Sequence, residues 1–91
     1  MGYVEINDDV IWTKHVHEDA TLQKRLTEAP QGKIVRLEID GLVGDWVKMN
    51  DDPSGRPTNG IRPTKTTLKA WREIRKQSWG KLVKVRLLEL S

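Results

Sequence analysis

The 91-residue chain has no cysteine and no phenylalanine. Without cysteine there is no disulfide, no thiolate metal ligand and no cysteine nucleophile, and the composition fits a reducing, cytoplasmic setting. Long apolar runs are also missing. The amino-terminal residues lack the basic-then-apolar pattern of a secretory signal, so neither a membrane span nor an obvious export route is expected. Nucleophiles are scarce: the serines are Ser54, Ser78 and Ser91, and none falls in a strand-to-helix elbow. The carboxylate pairs Asp8-Asp9 and Asp51-Asp52 occupy turn-rich stretches, where such residues serve turn geometry. An enzyme is therefore not the expectation, and no catalytic residue or cofactor is assigned.

What the chain does have is charge and tryptophan. Charged residues make up 32%, the net charge is +3 and the pI is about 9.4, a modest tilt toward acidic partners. Four tryptophans (Trp12, Trp46, Trp71 and Trp79) are spread along the sequence and supply most of the aromatic mass. A chain of this length holds one domain with one core.

The strongest local signal is Asp40-Gly41 between two β-rich runs, because both residues accept the positive φ that a two-residue hairpin turn demands. Such a turn fixes the register. Ile39 faces Leu42, Leu37 faces Gly44 and Val35 faces Trp46 on one apolar side. Arg36 faces Asp45 and Ile34 faces Val47 on the other.

Upstream, Tyr3–Ile6 and Val10–Thr13 read as short strands around the Asn7-Asp8-Asp9 turn. Asp19 then caps a helix that carries Leu22, Leu26 and Ala29 and stops at Pro30 and Gly32. Downstream, Thr66 or Thr67 caps a second helix that runs through about Trp79, with Leu68, Trp71 and Ile74 inward and Gly80 as its stop. Lys81–Leu90 is the last strand. A faint repeat, Gly32-Lys33-Ile34-Val35 against Gly80-Lys81-Leu82-Val83, begins the strand after each helix. The element order is β-α-β-β-α-β. It predicts an α+β fold, ferredoxin-like or related, with four to five strands and two helices on one face.

Two stretches are candidate sites. In the second helix, Lys65, Lys69, Arg72 and Lys76 fall within a stripe roughly 60° wide, away from the apolar face. Such a row suits a phosphodiester backbone or another acidic macromolecule; aromatic stacking beside it is not indicated, since Trp71 points inward and Trp79 alone is a candidate platform. An ordinary solvated helix face is the plain alternative. The second stretch is the polar segment 50–65, long for a structureless connection. Its Arg56, Asn59 and Arg62, with Trp46 from the hairpin, are the expected ligand-binding residues of an alternative, small-molecule function in which a pocket between segment and sheet holds an anion.

Two motif tests on this segment fail. The calcium-loop-like start at Asn50 has Ile61 where a bidentate glutamate is required, and the glycine spacing of a phosphate loop ends in Ile61-Arg62. His15 and His17 could share a strand face with Glu18 or Asp19 nearby, but no metal site is assigned to them. The last strand places Leu82, Lys84, Arg86, Leu88 and Leu90 on one face and Val83, Val85 and Leu87 on the other. Apolar residues on both sides predict a homodimer or higher homo-oligomer. Taken together, the sequence reads as a non-enzymatic, self-associating binding or accessory module.

Overall fold

The computed structural model describes residues 2–49 and 59–90. Its elements are β1 (Gly2–Glu5), β2 (Ile11–Trp12), a one-turn 3-10 helix (Thr13–His15), β3 (Val16–His17), α1 (Ala20–Glu28), β4 (Ile34–Ile39), β5 (Leu42–Lys48), β6 (Gly60–Pro63), α2 (Lys65–Ser78) and β7 (Leu82–Leu90). All seven strands join one sheet in the order β2-β6-β5-β4-β7-β1-β3, and every pairing is antiparallel.

The two edge strands reveal the shape. β2 lies at one edge and β3 at the other, yet only the three residues of the 3-10 helix separate them. An open sheet of seven strands spaced about 4.8 Å apart would hold its edges roughly 29 Å apart. From Trp12 to Val16 the chain can span at most about 14 Å. The sheet therefore curls until its edges nearly meet, giving a barrel-like wall whose gap is bridged by the segment of residues 11–17. Val4, Ile6, Val35, Leu37, Ile39 and Val85 line the interior at 1% exposure or less.

The expected open, ferredoxin-like sheet of four to five strands is thus incorrect. Three features overturn it. Gly60–Pro63, read as part of a structureless segment, forms β6 and pairs with the second half of β5, Val47 opposite Arg62. Residues 11–17 are broken by the 3-10 turn, so one segment serves both edges. Finally, β7 inserts between β4 and β1. Nor do the helices lie together on one open face. α1 packs on β3, the 3-10 turn and β6, and α2 packs on β5 and β6; both feed side chains into the same core.

Several local readings hold. The β4–β5 register is the expected one from Ile34 opposite Val47 to Ile39 opposite Leu42. Its turn places Asp40 at φ 50° and Gly41 at φ 85°. Asp19 caps α1, its Oδ1 accepting from the Leu22 N–H at 2.9 Å. The last strand differs. A bulge at Leu88 separates the pair Leu37–Leu87 from the pair Arg36–Glu89, which sets Leu90 opposite the core residue Val35. Strict alternation along β7 therefore ends at Leu87: Leu82, Lys84, Arg86 and Leu88 are exposed as expected, and Glu89 is exposed beside them. Among the described residues no helix is long and apolar enough to cross a membrane.

Candidate functional site

The first turn of α2 is tied to β5 through Asp45. The Asp45 N–H donates to Thr67 Oγ1 at 3.0 Å, and the Asp45 carbonyl accepts from Thr67 Oγ1 at 3.0 Å and from the Thr64 N–H at 3.1 Å. Thr67 thereby satisfies backbone groups that lie beyond the end of the short β6 pairing. One turn on, Trp71 is fully buried and meets Trp46 edge to face, with ring centroids 4.9 Å apart and planes at 80°. These contacts hold one side of the helix and leave the other to solvent.

That outer side concentrates the positive charge. α2 carries Lys65, Lys69, Arg72, Arg75 and Lys76 against one acidic residue, Glu73. The helix is thus +4 in a chain of net +3, so everything outside it sums to −1. Lys65, Lys69, Arg72 and Lys76 are all exposed, as the periodicity predicts. Their counter-charges are few. Asp9 accepts from Arg75 at 2.8 Å and from Arg72 at 3.4 Å, and Glu73 lies 3.6 Å from Lys76. Lys65 and Lys69 have no ion-pair partner among the described residues. The first turn has no acidic residue, and Thr64 makes no side-chain cap to a backbone N–H, so Lys65 adds charge to the already positive end of the dipole.

Arg75 was not singled out from sequence, and Asp9 was read there only as part of a turn. Arg75 sits off the stripe, and Asp9 reaches it from 66 residues away. Arg75 also lies over the ring of Trp79 at 5.8 Å from its centroid. Trp79 is the C-terminal cap residue of α2 and is 59% exposed.

Of the other expected ligand residues, the three that the structure describes do not gather. Trp46 is 1% exposed and belongs to the core. Arg62 points outward from β6, opposite Val47. Asn59 uses its carbonyl to accept from the Thr13 N–H at 2.7 Å, extending the β2–β6 pairing. Arg56, with the calcium-loop-like and phosphate-loop-like residues around it, lies outside the described residues. A cavity of about 350 Å³ opens instead between α1 and β7, lined by Gly2, Asp19, Thr21, Arg25, Val85 and Arg86.

His15 and His17 part company at the 3-10 turn. His15 belongs to it, while His17 in β3 pairs through Nε2 with Glu5 Oε1 at 2.9 Å. Asp19 is engaged as the α1 cap, and no group of three or more metal-ligand side chains occurs among the described residues.

Lys48 shows a different use of charge. It is 4% exposed, and its Nζ donates to the carbonyls of Leu26 at 2.7 Å and Thr27 at 2.8 Å. These are end-of-helix acceptors of α1, so the ammonium closes that helix from within the wall. Burial pushes its pKa below the ordinary lysine value. Compared with known proteins, the chain matches no family model, and no curated protein or solved structure matches it.

Proposed function

We propose that the protein is a non-catalytic binding module whose α2 outer face docks on the phosphate backbone of nucleic acid. The carrying observation is the concentration of charge: one helix holds more positive charge than the net of the whole chain, on a face opposite its core contacts. From Lys65 to Lys76 the helix rises about 16 Å, long enough to meet several successive phosphates. The Asp45–Thr67 links and the Trp46–Trp71 contact give this face a rigid base. The cysteine-free composition supports a cytoplasmic setting, and the exposed Ile34, Val43 and Leu88 support added self-association.

The test is a paired substitution, Lys69→Gln with Lys76→Gln, assayed against a fluorescent oligonucleotide at low salt. Binding by the wild type and at least a ten-fold loss in the variant are expected. Equal affinity in both proteins overturns the reading. Light scattering at high concentration checks self-association, and a strict monomer refutes that part alone.

A further inference from the structure

Position 79 extends the cation row with an aromatic side chain. Lys65, Lys69, Arg72, Lys76 and Trp79 are spaced four, three, four and three residues apart, the repeat that keeps side chains on one helix face. Tryptophan is highly buried on average, yet this one is 59% exposed at the end of the row. It is also held in place. The Arg75 guanidinium lies over the ring, and Arg75 in turn is bound to Asp9 at 2.8 Å. One side of the indole thus faces a cation that is itself paired, while the residue as a whole stays exposed.

An indole in that setting is suited to base stacking. Every nucleobase has a π-face, so an aromatic platform beside a row of cations binds single strands with little regard to sequence. In a duplex the bases already stack on one another and are not free to leave the helix without cost. Resting on the reading of the α2 face given above, we infer that the ligand is single-stranded nucleic acid, one base of which stacks on Trp79 while its phosphates follow Lys76, Arg72, Lys69 and Lys65. An acidic polypeptide would satisfy the cations but has no group that needs the indole face.

The experiment compares three labelled probes on the same protein: a twelve-residue oligothymidylate, an abasic strand with the same phosphodiester backbone, and a duplex of the same length. Polyglutamate serves as competitor. Stacking of one base is worth about 1–3 kcal/mol, so the thymidylate should bind roughly 5- to 150-fold more tightly than the abasic strand. Trp79→Ala should reduce thymidylate binding to the abasic level, leaving abasic affinity and salt dependence unchanged. Trp79→Phe should retain most of the preference, and circular dichroism should be native for both variants, since the side chain is exposed.

Equal binding of thymidylate and abasic strand, or no effect of Trp79→Ala, overturns the stacking assignment while leaving the cation row intact. Polyglutamate displacing the strand as well as free thymidylate also overturns it, in favour of an acidic protein partner. The cation row is judged separately. Should Lys69→Gln with Lys76→Gln leave abasic binding unchanged, the row is refuted whatever Trp79 does.

Discussion

Thr67 fills the space that any side chain at Gly44 would need. A Cβ built on Gly44 would lie 2.6 Å from Thr67 Cγ2 and 2.7 Å from its Oγ1. This glycine is therefore a packing requirement, and its effect is to let α2 approach β5 closely enough for Thr67 to bond with Asp45. Gly44→Ala should destabilise the fold by about 1–3 kcal/mol through overpacking. In a Thr67→Ala background the same change should cost clearly less, because the crowding atoms are gone. A double-mutant cycle from denaturant unfolding measures the difference, and strict additivity would show that the two residues do not compete for space.

Lys48 should make stability depend on pH in the alkaline range. Its folded-state pKa lies below the ordinary 10.5 because burial disfavours the ammonium. Between the two values the unfolded chain binds more protons, so stability rises with pH across that window and levels off above 10.5. The neutral amine still has two hydrogens for Leu26 and Thr27. Lys48→Met strands both carbonyls and should cost about 1–3 kcal/mol at pH 7. The gap between wild type and variant should widen as the pH rises toward 10.5 in urea titrations; parallel curves would show that Lys48 does not titrate differently on folding.

Asp9 sets the strength of the basic face from outside α2. It engages Arg75 and Arg72, and on the proposed reading it would oppose an incoming polyanion. Asp9→Asn removes the opposing charge and keeps an acceptor for Arg75. At about 10 Å in water one unit charge is worth roughly 0.4 kcal/mol, so affinity for an oligonucleotide should rise about two-fold at low salt. The pair is partly exposed, so stability should fall by less than about 1 kcal/mol. Weaker binding in Asp9→Asn would mean that the carboxylate's positioning of Arg75 outweighs its repulsion.

The readable parts of the fold were those decided by a few adjacent residues. Asp40-Gly41 demanded a tight turn, the turn set the β4–β5 register, and Asp19 capped α1 as its spacing required. The helical period of Lys65, Lys69, Arg72 and Lys76 likewise put them on the exposed side. Long-range relations carried no such mark. β6 has four residues, two-residue β2 and β3 sit around a turn, and strands that short show no alternation to read. Barrel closure follows from how residues 11–17 bridge two edges, which local pattern does not encode. The Leu88 bulge leaves Leu88 and Glu89 both exposed, and its sequence mark, the Leu87-Leu88 doublet that breaks the alternation of Lys84 and Arg86 with Val85 and Leu87, was read as continued alternation. Asp9 met Arg75 only through folding. Trp79 stood out in the sequence only as a candidate platform, and its exposure and its contact with Arg75 emerged with the fold.

The most direct test is the salt dependence of binding to single-stranded oligonucleotide. With four phosphates neutralised by Lys65, Lys69, Arg72 and Lys76, log Kobs should fall against log salt with a slope of about −3. Removing Lys69 and Lys76 together should bring that slope to between about −1 and −2. A slope near zero in the wild type, or one unmoved by the double substitution, would contradict the α2 cation row as the contact surface.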